Sequence, residues 1–229
     1  LDEGATFIDV GAYSSKPNAE FVSELEELER IVPVINLLLK QFPEAIVSID
    51  TFRSEVAKAA IENGAALIND ISAGNLDERM METIAHYKVP YVMMHMRGNP
   101  ETMQSLTHYN NIIKEMILYF SEKVAKARSL GINDLILDPG FGFAKTIEQN
   151  YEVLQKLELF QMLELPILAG VSRKSMIYKL LNINAQEALN GTIVLNTVAL
   201  TKGAAILRVH DVKEAMECVT LFNKIHLSK

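Results

Sequence analysis

Polar or charged residues stand at the ends of short apolar runs throughout the sequence: Asp9, Asp50, Asn69 with Asp70, His95, Asp138, Ser172 with Arg173 and Lys174, and Arg208 with His210. They fall into two kinds of chemistry. The carboxylates and the amide suit a flat nitrogen heterocycle. A carboxylate such as Asp138 can accept two parallel N–H bonds from an amidine-like edge, a charge-assisted and therefore strong arrangement. Asn69 offers a donor and an acceptor to a ring edge, which an ionised Asp cannot do. Asp50, beside a carbon losing a leaving group, would stabilise the positive charge developing there. The cations suit an anion. Arg208 and His210 alternate along one run, so both can face the same side and clamp a charged group. Ser172-Arg173-Lys174-Ser175 lies where a strand turns into a helix, a natural anion site, although Lys174 can instead bond ring oxygen and nitrogen atoms. In Asp138-Pro139-Gly140-Phe141-Gly142-Phe143 the two glycines allow a tight loop that leaves Phe143 free to pack on a ring. Singly, a strand-end Asp or Asn more often caps a helix or holds a loop; the set as a whole describes a site.

The elements that would position these groups follow a repeated pattern. A helix-like stretch ends at Gly, a short apolar run follows, and a polar residue closes it, as in Gly4 to Asp9, Gly64 to Asn69, Gly131 to Asp138 and Gly203 to Arg208. Gly fits the left-handed position that closes a helix, and a continuous apolar run suits a strand covered on both faces. Ile46 to Asp50, Tyr91 to His95 and Pro166 to Ser172 read as further strands. Glu20 to Gln41 places Leu25, Leu28, Val32, Ile35 and Leu39 at helical spacing, with Glu24 to Glu29 as a solvated acidic face. Residues 54–63, 77–87, 109–130, 149–163, 185–202 and 212–224 also read as helices. Alternating strands and helices predict a parallel sheet of βαβ units. Seven strands, preceded by what reads as the last turn of a helix at Leu1-Asp2-Glu3-Gly4, predict an α/β fold of the (β/α)8 TIM-barrel type with its first strand missing, in a fragment that lacks an initiator Met. A doubly wound open sheet is the alternative. Against it, no G-x-G-x-x-G follows the first strand, and the polar strand ends are spread along the whole chain, as a barrel mouth requires. Without a Gly/Ser-rich linker, residues 1–229 read as one domain.

Composition narrows the function further. The 229 residues carry 22 Lys plus Arg against 29 Asp plus Glu, a net charge of −7, which argues against nucleic acid as a general partner. A single cysteine, Cys218, excludes a disulfide framework or a Cys-based zinc site, and reads as a small packing residue. No apolar run reaches the roughly eighteen residues of a membrane span, and no signal peptide opens the chain, so a cytoplasmic location is expected. The ten methionines read as core filler, and His86, His108 and His226 as surface residues. His95 reads as structural, holding its loop through hydrogen bonds. Ala- and Leu-rich faces on the last two helices suggest a homodimer.

Taken together, these stretches resemble the dihydropteroate synthase family. The likeness rests on Ile8-Asp9-Val10-Gly11, Ser14-Ser15-Lys16-Pro17, Ser48-Ile49-Asp50-Thr51, Ile68-Asn69-Asp70-Ile71 and Met94-His95-Met96-Arg97-Gly98-Asn99-Pro100, and continues through Asp138 to Phe143, Ser172 to Ser175 and Arg208-Val209-His210-Asp211-Val212. It implies a TIM barrel that condenses 6-hydroxymethyl-7,8-dihydropterin diphosphate with p-aminobenzoate, giving 7,8-dihydropteroate and pyrophosphate, with Mg²⁺ as cofactor and sulfonamides as inhibitors. It implies a pterin site of Asp50, Asn69, Met94, Asp138, Phe143, Gly170 and Lys174, a diphosphate site of Arg208, Val209 and His210, and an aminobenzoate pocket of Ser15, Lys16, Pro17, Phe143 and Ser175. Asp50, Lys174, Arg208 and His210 would carry the reaction. The family's metal-binding Asn belongs to the missing first strand, so no metal ligand is expected in these residues. The chain has Ser-Ser-Lys-Pro where Ser-Thr-Arg-Pro is commoner in the family, and Lys lacks the planar fork of Arg. Two other readings share the pterin contacts: a barrel that presents methyltetrahydrofolate for methyl transfer, and a non-catalytic pterin-binding remnant.

Overall fold

The computed structural model describes residues 1–14 and 20–226. Its strands are β1 (Phe7–Val10), β2 (Ile46–Asp50), β3 (Leu67–Asp70), β4 (Tyr91–Met94), β5 (Leu135–Asp138), β6 (Leu168–Ala169) and β7 (Ile206–Leu207). Between and after them lie α1 (Glu24–Gln41), α2 (Ser54–Glu62), α3 (Met80–Tyr87), α4 (Ile112–Ser129), α5 (Ile147–Gln155), α6 (Ser175–Leu181), α7 (Leu189–Thr201) and α8 (Val212–His226). All pairings are parallel. β1 to β5 follow one another in chain order, β6 pairs with β7, and a bridge from Leu137 to Ile167 joins the two groups. A doubly wound sheet reverses its strand order at a switch point; this one never does, which is the order of a barrel wall. Among the described residues β1 and β7 have no ladder to each other, so the wall is open along that seam.

Alternation along the strands separates two layers. Val47, Ile49, Ile68, Met93 and Leu137 are fully buried and join one large core with Ile31 and Ile35 of α1, Phe120 of α4 and Phe160. Leu67, Val92 and Leu168 instead form a separate cluster with Ile136 and Ile206, filling the space the strands enclose. Each fully buried side chain of this size contributes about 1.5–3 kcal/mol of transfer free energy.

Several local expectations need correction. The buried stripe of α1 is Glu27, Ile31 and Ile35, at steps of four, and Leu25 lies on the exposed face. Glu27 therefore leaves the solvated acidic run. Thr51 Oγ1 donates to Glu27 Oε1 at 2.8 Å and Arg53 Nη1 lies 2.5 Å from Oε2. Its burial raises its pKa, and Thr51 and Arg53 oppose that rise. The expected helix at 149–163 is an α-helix to Gln155 followed by a 3-10 turn over Leu157–Leu163, and it starts earlier, on a Thr146–Gln149 capping box. The expected helix at 185–202 is shorter, beginning at Leu189, because Ala185 to Ala188 form turns after α6. His86, His108 and His226 are exposed, and Cys218 is buried. No helix among the described residues is long and apolar enough to cross a membrane.

Candidate active site

The C-terminal strand ends converge on one mouth. In register, Asp9 stands beside Ser48 and Asp50 beside Asn69, so consecutive parallel strands deliver their polar ends to the same level. Asp9 is the hub on this side. Its Oδ1 accepts from Ser48 Oγ at 2.7 Å, and its Oδ2 accepts from Asn69 Nδ2 at 3.2 Å and from Arg208 Nε at 2.6 Å. Arg208, just past β7, also places Nη2 2.9 Å from Asp50 Oδ2. One guanidinium thus spans the open seam and fastens β7 to both β1 and β2. Burial raises the pKa of Asp50 and the negative charge of Asp9 raises it further, while Arg208 pulls it down. Asn69 spends one Nδ2–H on Asp9, which leaves its second N–H and its carbonyl oxygen for a ligand.

The opposite wall is the loop after β5. Asp138 is buried and its Oδ1 accepts the Gly140 N–H at 2.7 Å. Gly140 has φ +67°, and a Cβ there would stand 2.3 Å from the carbonyl oxygen of His95, so no larger residue fits the turn. Lys174 Nζ donates to the Phe141 carbonyl and sits 5.1 Å from the Phe143 ring centroid. Desolvation pushes the Lys174 pKa down to about 8 against the pull of Asp138. The Asp138 pKa rises with burial, with Lys174 as the strongest opposing influence. Gly170 lies between the two cationic side chains: a Cβ there would be 3.8 Å from Arg208 Cβ and 3.9 Å from Lys174 Nζ. Met94 closes the slot from β4, buried with Ile71, Met96, Met103 and Ala144, and Phe143 packs against that cluster.

At the anion side, His210 Nδ1 lies 2.9 Å from Ser172 Oγ, which also accepts the His210 N–H at 3.2 Å. Val209 is partly buried between them and Arg208, and Ser175 opens α6 beside Lys174. A cavity of about 520 Å³ is lined by Gly11, Tyr13, Ser14, Asp50, Arg208 and His210, among others. Arg173 does not belong to this wall. With φ +52° it turns away, grips Asp211 at 2.7 and 2.8 Å, and donates to the Ala185 and Gln186 carbonyls. Ser15, Lys16 and Pro17 lie outside the described residues, so Phe143 and Ser175 are the expected aminobenzoate contacts the structure places.

Sequence reasoning gives no individual role to three positions that the structure ties to the site. Asp9 was visible as a strand end, but its three partners were not. Lys145 is buried, with Nζ 3.1 Å from His95 Nδ1 and 3.0 Å from the Gly140 and Phe143 carbonyls. Arg53 joins Glu27 to the Val22 carbonyl among the rings of Tyr13, Phe21 and Phe52, bracing the segment before α1. His95 is structural as expected: it is buried, and burial together with Lys145 drives its pKa well down, keeping it neutral.

The family described as pterin binding enzyme matches residues 1–210. Dihydropteroate synthase from Synechocystis sp. is 46% identical over 216 residues, covering 93% of this chain and 74% of that protein. The Escherichia coli dihydropteroate synthase is 42% identical over 221 residues, covering 96% and 78%. The crystal structure of Yersinia pestis dihydropteroate synthase in a sulfonamide drug complex superposes with a TM-score of 0.95 at 38% identity, covering 99% of this chain and 82% of that one.

Proposed function

The chain belongs to the dihydropteroate synthase family of pterin-binding transferases, and on that premise we propose that it condenses 6-hydroxymethyl-7,8-dihydropterin diphosphate with p-aminobenzoate. The observation that carries the reading is Arg208, an anion-binding cation held 2.9 Å from the Asp50 carboxylate, beside the heterocycle wall of Asn69, Asp138 and Lys174. In this reading the pterin lies flat between Met94 and Phe143. Its amidine edge donates to Asp138, a ring N–H donates to the Asn69 carbonyl, and Lys174 donates to the ring oxygen and nitrogen. Gly170 leaves room for the ring's approach. The diphosphate rests on Arg208, His210 and the backbone around Val209.

The C–O bond at the exocyclic methylene then breaks, and its electron pair leaves with pyrophosphate. The positive charge left on carbon spreads into the dihydropterin and faces Asp50, while Arg208 and His210 take up the charge on the leaving group. The aminobenzoate nitrogen attacks the carbon and loses a proton, completing the new C–N bond. The amine acceptor sits between Phe143 and Ser175, with Ser15, Lys16 and Pro17 as its remaining proposed contacts. Sulfonamides, which share its shape, would compete there.

Mg²⁺ is proposed to arrive with the diphosphate. The described residues include no group of three His, Cys, Asp or Glu able to hold an ion, and Arg208 spans the Asp9–Asp50 pair. The donors among the described residues do not fit a resident metal, so no step runs through one. A cytoplasmic location and a homodimer through α7 and α8 complete the proposal.

The test is pyrophosphate release from the pterin diphosphate with Mg²⁺, with and without p-aminobenzoate. Release that requires p-aminobenzoate supports the synthase. Pterin binding with no release, under the same conditions, would favour a methyltetrahydrofolate-type barrel or a binding remnant instead.

A further inference from the structure

We propose that Lys145 is a positioning residue for the pterin slot, acting through the loop after β5 to hold Asp138 and Phe143 in their ligand-binding places. The proposal rests on the pterin reading of that slot. Lys145 is 4% exposed. Its three neighbours come from two strand ends: the Gly140 and Phe143 carbonyls from the loop, and His95 Nδ1 from the end of β4. An ammonium donates three bonds and accepts none, so these three acceptors satisfy it in full. With Lys145 protonated, His95 Nδ1 accepts from it and the ring proton sits on Nε2.

The loop is held by two lysines. Lys174 bonds the Phe141 carbonyl, and Lys145 bonds the carbonyls of Gly140 and Phe143. The Gly140 N–H is the group that orients the Asp138 carboxylate. Fixing the Gly140 carbonyl therefore fixes the peptide flanking that donor, and fixing the Phe143 carbonyl sets the ring that faces Lys174. Gly140 packs so closely on the His95 backbone that a Cβ there would stand 2.3 Å from the His95 carbonyl oxygen. Asn150 Oδ1 accepts the Gly142 N–H at 2.6 Å and holds the loop's outer turn, but it does not touch the two carbonyls that bracket the slot. Burial pushes the Lys145 pKa down to about 7, with Asp138 opposing. Protonated or neutral, its nitrogen retains N–H donors for the two carbonyls.

The experiment is titration calorimetry of the wild-type chain, Lys145→Met and Lys145→Gln with two probes: 6-hydroxymethyl-7,8-dihydropterin diphosphate and inorganic pyrophosphate. Lys145→Met strands two buried carbonyls and is expected to weaken the pterin ligand by roughly tenfold or more. Pyrophosphate, which rests on Arg208 and not on the loop, should change by less than about twofold. Lys145→Gln keeps an NH₂ group for the carbonyls and should recover most of the loss. The proposal is overturned if folded Lys145→Met binds the pterin ligand like wild type, if both probes weaken in parallel, or if Gln is no better than Met. Should Lys145→Met fail to fold by circular dichroism, Lys145→Gln decides: a severalfold loss confined to the pterin ligand supports the proposal, and an unchanged or parallel response overturns it. A folded wild-type chain that binds neither probe overturns the functional reading itself, and the inference with it.

Discussion

Arg208 and Asp50 stand 158 residues apart in the chain and meet at 2.9 Å across the open seam of the barrel wall. The same guanidinium reaches Asp9 at 2.6 Å, so Arg208, the cation proposed to hold the diphosphate, forms one unit with the two carboxylates. Arg208→Met should cut kcat/KM by about 10²–10³, the scale seen when one donor to a developing oxyanion is removed. The Arg208 side chain is 44% exposed, so its ion pairs add only about 0–1 kcal/mol to stability and the thermal midpoint should barely move. Steady-state kinetics with a melting curve on the same sample separate the two. Full activity in the variant would remove Arg208 from the diphosphate site.

Asp138→Asn tests the heterocycle wall without disturbing the fold. The amide oxygen can still accept the Gly140 N–H, so the turn is retained, but the charge-assisted pair to an amidine edge is lost. Pterin affinity should fall by about 10- to 100-fold, the equivalent of roughly 1.5–3 kcal/mol for a hydrogen bond to a charged group. Lys174→Ala should be at least as severe, since it also frees the Phe141 carbonyl. Equilibrium titration with the pterin diphosphate is the check, and wild-type affinity in either variant would exclude that residue.

The pH profile of kcat/KM reports groups in the free enzyme. Asp50 must be ionised to face a carbocation, and burial with the Asp9 charge raises its pKa, so activity should fall on the acid side well above the ordinary carboxylate range. In the proposed site the charged form of Lys174 faces Asp138, and its pKa is pushed down to about 8, so an alkaline limb should appear near that pH. Lys174→Arg stays charged throughout and should abolish the alkaline limb in whatever activity remains. An alkaline limb unchanged in that variant would assign it to another group.

Much of this site was legible because a parallel barrel collects its strand ends at one mouth. Asp50, Asn69, Asp138, Lys174, Arg208 and His210 each end or follow a short apolar run, and such runs are easy to see. What a linear reading lacks is the partner. Asp9 looked like the other strand-end acids until Arg208, 199 residues away, was found on its carboxylate. Arg173 and Lys174 are neighbours in sequence, yet a left-handed backbone at Arg173 sends its side chain to Asp211 and leaves Lys174 facing the mouth. Lys145 gives no signal of its own, since nothing in a Phe-Ala-Lys-Thr stretch says that the lysine is buried. The last strands are two residues each, shorter than their apolar runs, because the ladder at β6 and β7 extends over only two residue pairs.

Glu27 carries the same lesson into stability. It sits in an acidic stretch that reads as solvated, yet the turn of α1 that follows Ser23 rotates it inward to Thr51 and Arg53. Removing it strands Arg53, whose side chain is 12% exposed, among the rings of Tyr13, Phe21 and Phe52. Breaking a buried pair from one side costs about 3–5 kcal/mol, because the surviving charge stays desolvated. For a chain of this length that is a fall of roughly 6–20 °C in thermal midpoint. Glu24→Ala, one turn earlier on the exposed face, should cost no more than about 0.5 kcal/mol. Glu27→Gln keeps one of the two acceptor oxygens that serve Thr51 and Arg53 and should fall between the two. Melting curves for the three variants at neutral pH decide the matter. If Glu27→Ala melts with Glu24→Ala, the inward pair contributes nothing to stability.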